Sequence, residues 1–119
     1  MAAVGVDATV SALMADDPEC SAEDAKFMRI ALEEAAAAET AGNHPFGAVL
    51  VLEGKVVCKA QNAVVTEHDN TRHAELVLAS TASRGHPFAA LAGATLYTST
   101  EPCPMCAGAI YWAGIGRVV

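Results

Sequence analysis

Positive charge is scarce in this chain: 7 lysines and arginines stand against 14 aspartates and glutamates, for a formal net charge of -7 over 119 residues. Such a surface repels phosphate backbones, and no local basic patch offsets it, so nucleic acid is not an expected partner. No apolar run approaches the ~18 residues that a membrane span requires; the run from Ala48 to Leu52 suits a strand. The opening MAAVGVDATVSALMADDPEC has no basic n-region and carries Asp7, Asp16 and Asp17. It does not read as a signal peptide, and the expected setting is cytoplasmic and reducing. There is no internal repeat beyond the tripeptide His-Pro-Phe at 44–46 and 86–88. Cysteine is limited to Cys20, Cys58, Cys103 and Cys106, and in a reducing compartment these favour metal binding or catalysis over a disulfide framework.

What is present suits one small compact domain: 12.2 kDa, 53% hydrophobic residues and 18% charged. Residues 1 to about 20 show no steady period and read as an irregular or partly helical lead-in to a domain over 21–119. Ser21 is a good N-cap, Glu23 and Asp24 suit a first turn, and Gly42 is a stop, so a helix is expected between them with Met28, Ala31, Leu32 and Ala35 on its packed face. The run Phe46 to Leu52 reads as a strand buried on both faces, Glu53-Gly54-Lys55 as a hairpin turn, and Val56 to Ala60 as a second strand with Cys58 a small core residue. A second helix, capped by Asn70 or Thr71, carries His73 to Ala79 and ends near Gly85; Ala94 to Ser99 reads as a third strand. Pro102 and Pro104 open a third helix to about Ala113, and Arg117 begins a fourth strand. This alternation predicts an α/β fold: a sheet with parallel central strands, helices on both faces and right-handed crossovers.

The chemistry concentrates in Glu101-Pro102-Cys103-Pro104-Met105-Cys106. A Cys-x-x-Cys pair at a helix start can be a redox couple. It can be half of a structural zinc site, although Cys20 and Cys58 are isolated and no second ligand pair follows. It can also supply two ligands of a catalytic zinc whose third ligand is His73 and whose fourth position is open to water. Glu75 favours the last reading, because at a helix start it can bend into the same cleft as His73 and take a proton from water without binding the metal. The order His73-Ala74-Glu75, about thirty residues, then Pro102-Cys103-Pro104-Met105-Cys106 matches the H-x-E…P-C-x-x-C pattern of zinc-dependent nucleobase deaminases.

Over about Pro45 to Val119 the chain resembles the cytidine/deoxycytidylate deaminase superfamily, and within it the bacterial guanine deaminase and purine nucleoside deaminase branch. The likeness is carried by Pro45-Phe46-Gly47-Ala48-Val49, Asn62, His73-Ala74-Glu75 and the stretch Tyr97 to Ala113; tRNA adenosine deaminases share much of Glu101 to Ala109. The resemblance implies a three-layer α/β/α fold with a mixed, five-stranded sheet, a homodimer or larger assembly, and one Zn2+ per chain. It implies His73, Cys103 and Cys106 as zinc ligands and Glu75 as the proton shuttle. It also implies that Asn62 and the Ala74 backbone N–H contact the base, and that Phe46 and Trp112 line the ring pocket. The implied activity is hydrolytic deamination of a purine base or nucleoside, guanine-like, with a small-molecule substrate. The alternatives are a tRNA adenosine deaminase, a cytosine or cytidine deaminase, an inactive zinc-stabilised interaction module and a thiol redox protein.

Two departures from the family pattern stand out. Many relatives have Asp-Pro-Thr-Ala before His-Ala-Glu; here the four residues are Asp69-Asn70-Thr71-Arg72, so Arg72 is either solvated or meets a polar group of the substrate. The family's chain also continues past the fourth strand, and this one is expected to lack the last strand and the C-terminal helices.

Overall fold

Helix α1, Ala22–Thr40, starts with a capping box: the Asp24 N–H donates to Ser21 Oγ at 3.1 Å, and the Ser21 N–H donates to Asp24 Oδ2 at 2.9 Å. The computed structural model describes residues 20–119, so the lead-in expected before α1 lies, Cys20 apart, outside the described residues. The buried face of α1 is almost all alanine, with Ala25, Ala31, Ala35 and Ala38 around Phe27; Met28 and Leu32 sit half-buried at its margin. Small side chains let the sheet approach closely. At Gly47 an added Cβ would lie 2.5 Å from the Ala31 carbonyl oxygen and closer still to the Ala35 nitrogen, so only glycine fits under the helix.

Strands β1 (Gly47–Leu52) and β2 (Lys55–Gln61) form an antiparallel hairpin. Glu53 and Gly54 link them, with φ of 52° and 76°, the two positive values that a type I′ turn demands. Val57 is an extra residue on β2 between the pairs Leu50↔Cys58 and Val51↔Val56, which makes a bulge on the edge strand. Helix α2 (Ala74–Gly85), the one-turn α3 (Phe88–Leu91), strand β3 (Thr95–Thr98), helix α4 (Pro104–Ala113) and the short β4 (Arg117–Val118) complete the described order.

The sheet runs β2-β1-β3-β4, four strands among the described residues where the resemblance implies five. The expected parallel centre is a correction: β1 pairs antiparallel with both β2 and β3, and only β3 and β4 are parallel. The hairpin explains it. Once β2 has folded back beside β1, the α2 crossover passes over β1, and β3 returns on its far side. Thus β2 and β3 run the same way with β1 reversed between them.

Strand β1 is buried on both faces, as its unbroken apolar run predicts. Ala48 and Leu50 pack with Leu78, Leu96 and Ile110 beneath α2 and α4, and Cys58 lies half-buried against the same cluster. Val49 and Val51 pack with Tyr97 against Phe27 and Ala31 of α1. Helices therefore cover both faces in a three-layer α/β/α arrangement, and each fully buried leucine (Leu50, Leu78, Leu91, Leu96) contributes about 1.5–3 kcal/mol of transfer free energy. The topology places the site: the carboxyl ends of β2 and β3 lie at one edge, and the chain leaving them starts α2 and α4 there. In open α/β sheets ligands gather at such edges.

Candidate metal centre

Helices α2 and α4 begin at their own candidate ligands. His73 is the N-cap of α2 and Cys103 the N-cap of α4, and neither helix start receives a side-chain cap. The caps expected at Asn70 and Thr71 are a correction, since Thr71 donates from its N–H and its hydroxyl to Asp69 Oδ1 at 2.9 and 2.7 Å within the preceding loop. First-turn N–H groups have no intrahelical acceptor, so two helix N-termini turn donors and positive dipole ends toward one point.

His73 Nδ1 lies 3.5 Å from Cys103 Sγ and 3.6 Å from Cys106 Sγ, and the ligand atoms of all three lie within 4.8 Å of one another. Zinc held tetrahedrally at about 2.0–2.1 Å from nitrogen and about 2.3 Å from sulfur requires an N···S separation of about 3.5–3.6 Å, so the three residues fit the ion. His73 and Cys103 are half-buried and Cys106 is fully buried. The backbone N–H of Cys106, helped by that of Met105, holds the Cys103 thiol below its ordinary value. Burial pushes Cys106 up to about 12, with the Cys103 sulfur and Glu75 adding to the shift. The pair is therefore asymmetric before a metal binds, with Cys103 the readier thiolate.

Beside the cluster is a cleft of about 270 Å³ that takes in His73 and Cys103. Glu75 is 4% exposed and lines this cleft without belonging to the metal-ligating group. Its Oε1 accepts a 2.6 Å hydrogen bond from the Thr98 hydroxyl. Phe46 and Asn62 line the same cleft. Asn62 is buried, and its Oδ1 accepts from the Val64 N–H at 3.1 Å, so its Nδ2 remains to donate into the cleft. Ala74 is buried at the first position of α2, where its N–H has no acceptor within the helix.

The structure thus brings together His73, Ala74, Glu75, Cys103, Cys106, Asn62 and Phe46. It does not bring Trp112. That side chain is 79% exposed on the far side of α4, edge-on to Tyr111 at 5.3 Å, and borders a shallow groove with Leu76 and Ala109. The helical period is the reason: Cys106, Ile110 and Ala113 take the inward face of α4, and position 112 falls about 120° away from it. Arg72 pairs with carboxylates of its own loop, 3.5 Å from Asp69 and 3.8 Å from Glu67.

Residue-by-residue reading missed His44, Thr98, Thr100 and Glu101, of which His44, Thr100 and Glu101 line the cleft. Thr98 did leave a signal: it shares strand parity with the buried Leu96, which sets a hydroxyl on the core-facing side of β3 next to the start of α2.

Residues 21–119 match the family described as the cytidine and deoxycytidylate deaminase zinc-binding region. The chain is 41% identical over 97 residues to a tRNA-specific adenosine deaminase of Bacillus subtilis, covering 82% of this chain and 60% of that protein. It is 49% identical over 69 residues to a guanine deaminase of the same species, covering 58% of this chain and 44% of the relative. The X-ray structure of guanine deaminase from Bacillus subtilis superposes with a TM-score of 0.71 at 43% identity, covering 78% of this chain and 60% of that one. The chain therefore spans about three-fifths of the tRNA-acting relative and of the solved structure.

Proposed function

The chain belongs to the cytidine and deoxycytidylate deaminase zinc-binding family, and on that premise we propose that it deaminates a purine base or nucleoside, guanine-like, by hydrolysis. The observation that carries this reading is the place of Glu75, buried in the cleft beside His73 and Cys103 yet outside the metal-ligating trio. In this reading His73, Cys103 and Cys106 hold one zinc ion. Zinc so held supplies Lewis acidity and acidifies water at an open fourth position.

The remaining steps belong to the chain's own residues. Phe46 stacks against the ring, while Asn62 Nδ2 and the Ala74 N–H donate to acceptors on the base and present its amine-bearing carbon to the water. Glu75 accepts a proton as the water oxygen bonds to that carbon. It delivers that proton to the ring nitrogen, then takes the second proton from the hydroxyl now on the carbon and delivers it to the departing amine. The C–N bond breaks, a carbonyl remains, and ammonia leaves.

A single-base substrate suits a cleft of about 270 Å³ on a chain of charge -7. The second reading, a tRNA adenosine deaminase, draws support from the 97-residue match to such an enzyme. Salt separates the two, because RNA binding weakens steeply with added salt and a free base barely responds. Thiolate ligands suit a reducing, cytoplasmic setting. Among the described residues no helix is long and apolar enough to cross a membrane.

A homodimer is part of the same proposal. Met105 and Trp112 recur at i and i+7 on α4, and with Tyr111 they leave an exposed apolar stripe for a second copy of the chain.

The test measures zinc content and ammonia release from guanine, adenine, cytosine, their nucleosides and a tRNA anticodon stem-loop. Wild type is expected to hold one zinc per chain and to release ammonia from a purine. Cys103→Ala loses the zinc, whereas Glu75→Gln keeps it and loses turnover by about 10²–10⁴-fold. Zinc-loaded protein that acts on none of these substrates is an interaction module. Metal-free protein whose Cys103 and Cys106 cycle between thiol and disulfide is a redox protein.

A further inference from the structure

We infer that Thr98 is a positioning residue for Glu75, pinning Oε1 so that Oε2 is the oxygen that faces the water and the base; this rests on the deaminase reading above. The Thr98 hydroxyl lies 2.6 Å from Glu75 Oε1, a length typical of a hydroxyl donating to a charged oxygen. Both residues are buried, Thr98 at 5% and Glu75 at 4% exposure. The backbone beneath Thr98 is fixed from two sides: it pairs with Ala48 of β1, and its N–H donates to the Val119 carbonyl at 3.0 Å. Glu75, by contrast, has a long side chain with several rotatable bonds in the first turn of a helix that has no side-chain cap. The rigid strand therefore supplies the orientation that the helix start does not.

The hydroxyl has a second acceptor in reach, the Thr100 carbonyl at 2.9 Å. Its single proton can lie toward Glu75 Oε1 or toward Thr100. While that proton lies toward Glu75, the Thr98 hydroxyl occupies Oε1, and Oε2 is left to gain and lose the travelling proton. Thr100 also lines the cleft, three residues before Cys103, so the same hydroxyl links the proton shuttle to the loop that delivers a metal ligand.

The test compares Thr98→Val, which keeps the shape and removes the hydroxyl, with Thr98→Ser, which keeps the hydroxyl. Both are measured as zinc-loaded full chain. Thr98→Val is expected to retain one zinc and to lose kcat by about 10- to 100-fold with KM changed less than about threefold. Thr98→Ser is expected to stay within about threefold of wild type in kcat. In a Glu75→Gln background Thr98→Val is expected to cause no further loss, since both changes act on one device. An unchanged kcat in Thr98→Val, a loss that Thr98→Ser does not rescue, or a full independent loss in the Glu75→Gln background overturns the inference. Should wild type release ammonia from no base, the functional reading fails, and crystal structures then decide Thr98 alone. A Glu75 carboxylate turned away in Thr98→Val but not in Thr98→Ser upholds the positioning role; an unmoved carboxylate ends it.

Discussion

The Arg117 guanidinium grips the Asp24 carboxylate through two hydrogen bonds, of 2.9 and 2.8 Å, and so ties the last described strand to the first turn of α1. Asp24 also accepts from the Tyr97 hydroxyl at 2.5 Å and from the Ser21 N–H at 2.9 Å. The Arg117 hydrogen bonds hold its carboxyl well below the ordinary carboxylate range, with Tyr97 and Ser21 adding against the opposing effect of burial. Because the folded value is depressed, the unfolded chain binds the proton more readily. The stabilisation is therefore complete above the ordinary value of 3.8 and is lost as pH falls below it toward the depressed one. Urea midpoints between pH 7 and pH 2.5 are expected to show this acid loss in wild type and less of it in Asp24→Asn. Arg117→Met is expected to cost about 1.5–2 kcal/mol at neutral pH, the low end for a charged hydrogen bond because Arg117 is half-exposed.

Gly47→Ala is expected to destabilise the fold by about 2–3 kcal/mol, since the atoms its Cβ meets are backbone of α1 and cannot swing aside. Gly85→Ala is the internal control. Nothing lies within 4 Å of its Cβ, and the position is helical, so the change is expected to stabilise by up to about 1 kcal/mol. Paired thermal melts of the two variants read both signs in one experiment.

Asn62→Asp separates the two ends of the amide. The aspartate still offers an oxygen to the Val64 N–H, so the loop geometry is expected to hold, although a carboxylate at this buried position beside Glu75 lowers the melting temperature. The Nδ2 donor is gone, and the value of kcat/KM for a base that needs it is expected to fall by about 10²-fold or more. Equal loss of stability and activity would instead assign Asn62 to the loop alone.

Trp112→Ala is expected to leave the monomer's fold intact, because 79% of the side chain is exposed. Its effect is expected in assembly: light scattering after size exclusion should show a shift from dimer toward monomer. A variant that stays dimeric removes the α4 stripe as the contact between copies.

Much of the site could be read from local pattern. Ser21, the turn at Glu53-Gly54, the doubly buried run in β1 and the proline-opened α4 each act within a few residues, so spacing alone reveals them. His73, Cys103 and Cys106 were legible for a different reason, since a metal demands particular ligand chemistries, and Glu75 stood beside them in a fixed order of residues. Strand directions were not legible: hairpin and crossover compete for the same neighbour, and the antiparallel β1/β3 pair is settled only when β3 is placed.

What the sequence by itself determined is the chemistry available, three ligands and a carboxylate at the starts of two helices. What only the tertiary structure decided is where those groups point. Folding joins residues 23 apart in Thr98 and Glu75 and 93 apart in Arg117 and Asp24. It also turns Trp112 outward, because the helical period gives the inward face of α4 to Cys106, Ile110 and Ala113. Such relations depend on how whole elements pack, and no window of neighbouring residues contains them.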